Sequence, residues 1–310
     1  MKALLIYNEQ SGQRDRKGEI LTAIERLSTA GWSVEMVSSP SVRELEKAAR
    51  TAVAAGADAV IAAGGDGTVN AAIQSLAHQR AVLGVLPTGT TNVWAREMRI
   101  PLDVRRAAGV LLDGLVARVD LGIADGRYFL FVAGVGFDAS VTRDIDIRTK
   151  RRLGMLAYVI AAIVEALRLR GVDATIVSDR WISRERLLML VASNTRLYGG
   201  VLTIAPEAFA DDGLLDVRVF PGRGVGAAIV HAVSVLLGRH SLDPGARLYR
   251  CSTLSISARP PLPVQIDGDY VGTTPVTLRV AHRALRVLVP TGPHPMFLQP
   301  PERVLSAGHE

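Results

Sequence analysis

The run Asp58-Ala59-Val60-Ile61-Ala62-Ala63, broken at once by Gly64-Gly65-Asp66-Gly67, constrains this chain more than any other stretch. After Asp58 the run has no polar face, so it reads as a strand buried on both sides, and such a strand needs helices above and below it. Beyond the turn, Thr68-Val69-Asn70-Ala71-Ala72-Ile73-Gln74-Ser75-Leu76 continues with helical spacing to about His78. Glycines without a Cβ can take positive φ and aim backbone N–H groups at an anion, and the helix that follows adds its unpaired amides and positive dipole end. Asp66 is the odd member, because a carboxylate in an anion cradle repels phosphate unless a cation offsets it. A nucleotide brought with Mg²⁺ resolves the conflict, and a tight turn with Asp66 capping the helix is the other reading of the same residues.

The residues on either side repeat the unit. Ala3–Tyr7 and Ser33–Val37 read as strands, and Lys17–Ala30 and Val42–Ala55 as helices closed by Gly31 and Gly56. Ala81–Leu86 reads as a fourth strand running into Pro87-Thr88-Gly89-Thr90, with a helix start at Val93–Glu97 and another helix over Asp103–Leu112. Repeated βα units with short connections predict a parallel, doubly wound sheet whose ligand lies at the carboxyl ends of the strands. The turns holding Asp66 and Thr90 then share one sheet edge. Thr90 taken alone also suits an N-cap. Lysine occurs only at Lys2, Lys17, Lys47 and Lys150, which excludes a P-loop and leaves no kinase-type V-A-I-K lysine. Any polyphosphate held here is held by amides and hydroxyls.

After Gly114 the texture changes to strands: Ala117–Leu121, Tyr128–Ala133, Ala174–Ser178, Leu187–Ser193, Leu215–Phe220, Thr253–Ala258, Val264–Asp267, Thr277–Val280 and Leu285–Val289. Helices at about Leu153–Leu169 and Val225–Gly238 interrupt them. The expected fold is α/β, with an N-terminal doubly wound parallel-sheet domain over residues 1–116 and a C-terminal β-sandwich-like domain over 117–295. The tail 296–310 is expected to pack back on the first domain.

Composition narrows the partners. A net charge of +6 and a pI near 9.8 favour anionic ones, while 5% aromatic content without aromatic-basic interleaving argues against nucleic acid. The single cysteine, Cys251, excludes an intrachain disulfide and reads as a buried thiol. Mean hydropathy is +0.23, yet the greasiest helical stretches contain Glu165 and His231 and fall short of the roughly 20 apolar residues of a membrane span. With no signal-peptide pattern at the N-terminus, the expected location is cytoplasmic, at most peripheral on the inner membrane face.

Five motifs occur in order along nearly the whole chain: Gly64-Gly65-Asp66-Gly67-Thr68-Val69-Asn70, Pro87-Thr88-Gly89-Thr90-Thr91-Asn92, Gly134-Val135-Gly136-Phe137-Asp138-Ala139, Pro206-Glu207-Ala208-Phe209-Ala210-Asp211-Asp212-Gly213 and Gln265-Ile266-Asp267-Gly268-Asp269. Together they resemble the diacylglycerol kinase catalytic family, which includes sphingosine kinases and bacterial lipid kinases. The resemblance implies ATP-dependent phosphorylation of a diacylglycerol-like or sphingoid hydroxyl, in a cleft between a nucleotide-binding α/β domain and a β-rich lipid-substrate domain. Carried over by position, Gly64, Gly65, Asp66, Gly67, Thr68, Val69, Asn70 and Thr90 line the ATP phosphates, with Ser39 near the nucleotide. Asp269 corresponds to the general base and Asp66 to the metal–phosphate side. Asp212, with the carbonyls of Phe209 and Leu214, corresponds to a structural Mg²⁺ site, and Asp120 to a further carboxylate near the cleft.

Read without the resemblance, Asp267-Gly268-Asp269 is a hairpin turn, Asp212-Gly213 a plain turn, Asp120 a strand-end cap and Asp138 structural. The chain also departs from the family pattern: Ala71 and Val93 stand where acids are common, and Asp269 is one methylene shorter than the usual Glu. Arg143, Arg148, Lys150, Arg151 and Arg152 precede the apolar stretch Leu153–Leu167 and suit either docking on anionic lipid or a solvated turn. The expected partners are a nucleotide and a lipid substrate at a membrane surface; a homodimer is left open. An NAD kinase-like small-molecule kinase and a catalytically weak lipid- or nucleotide-binding protein are the alternatives.

Overall fold

The two unbroken apolar runs that lead into the glycine turns, at 59–64 and 82–87, become parallel strands buried on both faces. The computed structural model describes residues 1–12, 15–136, 171–200, 202–236, 238, 243 and 245–303. The basic cluster at 143–152, the helix expected over 153–169 and Asp138 lie outside the described residues. The chain divides into two compact units, the first of Met1–Leu121, Phe209–Gly213 and Ala281–Glu310, the second of Gly122–Ala208 and Leu214–Val280.

In the first unit, β1 (Lys2–Asn8), α1 (Lys17–Thr29), β2 (Ser33–Ser39), α2 (Val42–Ala54), β3 (Ala59–Gly64), α3 (Asp66–Leu76) and β4 (Val82–Pro87) alternate as the sequence implies. The short α4 (Val93–Glu97), α5 (Val104–Asp113) and β5 (Leu115–Ala124) follow. Strand order is β2-β1-β3-β4, every pair parallel, with Tyr7 beside Ala63 and Gly64 beside Pro87. Every residue of β3 and β4 is buried, because helices cover both faces. Ile20, Ala23 and Leu27 turn one stripe of α1 inward at i, i+3 and i+7. α1 packs on α5 and α2 on α3, as two helical layers require. Side chains cap two of these helices: Ser41 accepts from the Glu44 amide at 3.4 Å, and Asp103 from the Arg106 amide at 2.9 Å.

The second unit is β-sandwich-like. It contains β6 (Arg127–Phe129), β7 (Val132–Gly136), β8 (Val172–Ser178), β9 (Ile182–Ser193), β10 (Leu197–Tyr198), β11 (Leu202–Thr203) and β12 (Leu215–Pro221). After these come α6 (Gly224–Leu236), β13 (Arg247–Cys251), β14 (Thr253–Arg259), β15 (Pro263–Ile266), β16 (Asp269–Thr273) and the first part of β17 (Val276–Val289). All its described pairings are antiparallel, in the order β16-β15-β7-β9-β8-β14-β17, with β12 also on β9 and β13 on β12. Leu254 and Ile256 of β14 alternate with solvent-facing neighbours, and their buried side joins Phe129, Ile176, Leu190 and Val217 in the core.

Three expectations change. Thr277–Val280 and Leu285–Val289, read as two strands, are one, β17; its alternation falters at Arg283, which has φ +50°. The second part of β17 adds a fifth parallel strand to the first unit, with Val287 beside Leu83 of β4. Tyr128–Ala133, read as one strand, splits into β6 and β7, because the amides of Leu130 and Phe131 turn to the Asp267 carboxylate at 2.7 and 2.9 Å. A last short strand, β18 (Glu302–Arg303), pairs with β5, and Ala210 N–H donates to the Met296 carbonyl at 2.8 Å, both within the first unit.

Candidate active site

Strand order reverses between β1 and β3, so the crevice outside the carboxyl ends of these strands is where a ligand of such a sheet binds. Three turns meet there: 9–12 after β1, 64–67 after β3 and 88–92 after β4. Two of the glycines there, Gly12 and Gly89, are set by close approach of backbone to backbone. A Cβ on Gly89 would overlap the Gly65 Cα and lie 2.9 Å from the Gly65 nitrogen, and one on Gly12 would collide with the Thr88 carbonyl. The amides of Thr88 and Gly89 donate to the Gly64 carbonyl at 3.1 and 3.3 Å. Asn92, in the left-handed region at φ +50°, braces the second turn: its Oδ1 accepts from Gly89 N–H at 3.0 Å and its Nδ2 donates to Gly89 O at 2.8 Å.

The hydroxyls of Thr68 and Thr88 are buried among these turns without a hydrogen-bond partner. A buried hydroxyl with no partner costs free energy, and two of them beside glycine amides suit a group rich in acceptor oxygens. Of the other expected phosphate contacts, Gly67 and Thr90 are exposed, whereas Val69 and Asn70 are buried in α3. Asn70 Oδ1 accepts from Gln74 Nε2 at 3.2 Å. Ser39 is the last residue of β2 rather than lying after it, and its hydroxyl donates to Glu44 and accepts from the Ser41 amide at 3.0 Å. Ser11 and Gly12 went unread as site residues. The signal was there: a Ser-Gly pair directly after the first buried strand, at the strand where the order reverses.

Asp66 opens α3, and the residue that caps it is Gly65, so the carboxylate is not a helix cap. It reaches across to the second turn, where Oδ1 accepts from the Trp94 amide at 3.3 Å. Burial pushes the Asp66 carboxyl above its ordinary value, opposed by the amides of Val93 and Trp94 and by the nearby Arg96 charge. Ala71 and Val93, where the family often carries acids, are buried side chains of this core.

Asp120, the further carboxylate that the resemblance places near the cleft and among the candidate metal ligands, is held by its own first unit. Fully buried, it accepts from Gly213 N–H at 2.6 Å, from Arg283 N–H at 2.5 Å and from His282 Nδ1 at 2.9 Å. It thus fastens the 209–213 segment and residues 282–283 to β5. Burial raises its pKa against those donors. Asp211 accepts from the amides of Leu298 and Gln299 at 2.8 and 2.9 Å, while Asp212 is half-buried beside Gly213, whose φ is +76°. Phe209 belongs to the same segment, and Leu214 begins the second unit. Among the described residues, no group of three or more His, Cys, Asp or Glu side chains is arranged to hold a metal ion.

In the second unit, Asp267 (φ +47°) and Gly268 (φ +87°) form the two-residue turn between β15 and β16. Both Asp267 oxygens accept backbone amides, from Leu130, Phe131 and Val132 at 2.7 to 3.0 Å. Asp269 is the first residue of β16, which among the described residues pairs with β15 alone, and it is exposed.

A doubly wound unit with paired glycine turns, in one chain with an antiparallel sandwich-like unit, describes a recognised class of protein. The diacylglycerol kinase catalytic domain family matches residues 2–124, and the YegS C-terminal NAD kinase beta sandwich-like domain family matches residues 132–289. The chain belongs to the diacylglycerol kinase catalytic family. It is 28% identical over 292 residues to the diacylglycerol kinase of Bacillus subtilis (strain 168), covering 93% of this chain and 96% of that protein. With the diacylglycerol kinase of Staphylococcus aureus (strain MRSA252) identity is also 28%, over 93% of this chain and 92% of that one. The fold is similar to that of a diacylglycerol kinase from Bacillus anthracis str. Sterne, with a TM-score of 0.72 at 20% identity, covering 94% of this chain and 97% of that one.

Proposed function

We propose that this protein transfers the γ-phosphate of ATP to a hydroxyl of a diacylglycerol-like lipid, with the first unit binding the nucleotide and the second the lipid. The observation that carries the nucleotide half is the set of glycine turns at the sheet's switch point, with the buried, unpartnered hydroxyls of Thr68 and Thr88 among them and no lysine in any of the three turns. Polyphosphate oxygens accept what those amides and hydroxyls donate. The lipid half rests on family membership and on the relatives' names.

In this reading Gly64 to Thr68, together with the turn from Thr88 to Thr90, orient the phosphates. Mg²⁺, when bound, offsets phosphate charge as the bond to the leaving oxygen lengthens. What supports Asp66 as the residue toward that ion is its half-buried carboxylate beside both turns, already tied to the Trp94 amide. The Asp212 turn, with the carbonyls of Phe209 and Leu214, is the proposed structural cation site. Asp269 accepts the proton of the acceptor hydroxyl while its oxygen bonds to phosphorus and the β–γ bridging bond breaks, giving ADP and a phosphorylated lipid. General-base assistance of this kind is worth about 10²–10⁴ in rate.

The test is transfer of label from γ-labelled ATP to dispersed dioleoylglycerol, with NAD as the competing acceptor. Label in the lipid that disappears in Asp269→Asn supports the proposal. Label in NAD instead, or bound ATP with no labelled lipid, overturns it.

A further inference from the structure

Helix α6 of the second unit is amphipathic the wrong way round. Its thirteen residues include no Asp, Glu, Lys or Arg. Its polar side chains His231 and Ser234 are buried, 7% and 3% exposed, whereas Ile229, Val230 and Val233 are 55%, 48% and 46% exposed. Positions 229, 230 and 233 share one face of a helix, with Gly226 exposed one turn earlier. Single exposed apolar residues are ordinary on any protein; three together on a helix with no charged side chain are not.

The inward polar residues hold that face outward. His231 Nδ1 lies 2.6 Å from Asp243 Oδ2, and its Nε2 lies 2.8 Å from the Pro221 carbonyl. Ser234 donates to the His231 carbonyl at 2.9 Å and to Asp243 Oδ2 at 3.2 Å, while Asp243 Oδ1 accepts from the Gly245 and Ala246 amides at 3.1 Å. These bonds fix the rotation of α6 about its axis. Turning Ile229, Val230 and Val233 inward would leave a buried carboxylate and imidazole without partners.

We propose that this face of α6 docks on the surface of an anionic phospholipid bilayer. Exposed Arg223 stands just before the helix, the helix adds no negative charge, and the whole chain carries +6, all of which suit acidic headgroups. A second copy of the chain fits worse, because three side chains fall far short of the roughly 800 Å² per partner of a stable interface. Thirteen residues at about 1.5 Å each span about 20 Å, less than a hydrocarbon core of about 30 Å, so the helix lies in the interface plane. No helix among the described residues is long and apolar enough to cross a membrane. The inference rests on the lipid-acceptor reading above, since diacylglycerol is met in a bilayer.

The experiment measures co-flotation with phosphatidylcholine vesicles in which roughly one lipid in three is phosphatidylglycerol. Combining Ile229→Gln, Val230→Gln and Val233→Gln is expected to lower vesicle partitioning roughly tenfold or more, with phosphotransfer to vesicle-borne diacylglycerol falling alongside. Phosphotransfer to a dissolved short-chain diacylglycerol is expected to stay unchanged, which also shows that the variant is folded. Ile182→Gln, at a side chain 71% exposed on β9, is expected to change neither. Val230→Trp is expected to blue-shift its emission on vesicle addition, and Ile182→Trp is not.

Equal flotation of wild type and the triple variant overturns the docking proposal even if lipid is phosphorylated. Loss of the short-chain reaction in the triple variant also overturns it, because the face would then serve the chemistry itself. Wild-type self-association that the triple variant loses, seen by light scattering, assigns the face to a second copy and overturns it as well. Phosphorylation of no lipid in either form sinks the kinase reading, whereas flotation by itself reads the docking.

Discussion

The turn at Gly64–Gly67 and the turn at Asp267–Gly268 look alike as letters, and their glycines are required for opposite reasons. Gly65 sits at φ −92°, open to any residue, but a Cβ there would press on the Gly89 Cα at 3.3 Å, and one on Gly89 would overlap the Gly65 Cα outright. Gly268 sits at φ +87° with nothing within 4 Å of where a Cβ would stand. The first turn is packed; the second is only bent. In the first unit, then, backbone pressed against backbone fixes the direction of the amides. In the second, a side chain does the fixing: Asp267 gathers three amides and leaves Asp269 exposed on the next strand.

If the contrast is sound, substitutions separate the two turns by kind of effect. The largest is expected from Asp269→Asn, which lowers phosphotransfer by about 10²–10⁴ while urea denaturation and ATP affinity stay as in wild type. Gly89→Ala comes next: overpacking costs about 2–3 kcal/mol in urea denaturation and weakens ATP binding with it. Asp267→Ala strands three amides and lowers stability by roughly 3 kcal/mol, leaving ATP affinity untouched. Gly268→Ala meets only backbone strain, about 1 kcal/mol, again with unchanged ATP affinity. Equal loss of ATP affinity in Gly89→Ala and Gly268→Ala would break the comparison.

The smallest effect is one of pH. Burial raises the Asp66 pKa in the folded protein, so the folded state holds that proton more tightly than the unfolded chain does. Its contribution to stability is complete below the ordinary carboxylate pKa and is lost as pH rises through the raised one. Asp66→Asn should remove that slope, so that near neutral pH the variant unfolds at a slightly higher urea concentration than wild type while its phosphotransfer falls. Denaturation midpoints from pH 4 to 8 check the sign. A variant less stable than wild type at neutral pH would mean that the amides of Val93 and Trp94 outweigh burial.

The parallel unit was readable because its information is local: β3 and β4 are unbroken apolar runs, α1 carries its own apolar stripe, and α2 and α5 carry their own caps. Asp269 on a hairpin, the glycine turns on one sheet edge and the antiparallel character of the second half were legible for the same reason. What escaped the sequence is non-local. Nothing in Leu285–Val289 announces that it completes a parallel sheet whose preceding strand, β4, ends at Pro87, or that it continues the strand from Val276 through a kink at Arg283. Asp120 looked like any carboxylate at a strand end, because its partners Gly213, His282 and Arg283 are distant in sequence. The turn holding Ser11 is hidden for the same reason, because the close approach of Gly12 to the Thr88 carbonyl is a contact across the sheet edge.

The segmented make-up of the first unit bears on how its gene can be altered. Three separate coding stretches, ending in Leu121, Gly213 and Glu310, supply it, and the break between units falls inside β17. No single cut in the open reading frame releases either unit whole, so an exchange between relatives must graft all three pieces together or leave a sheet one strand short.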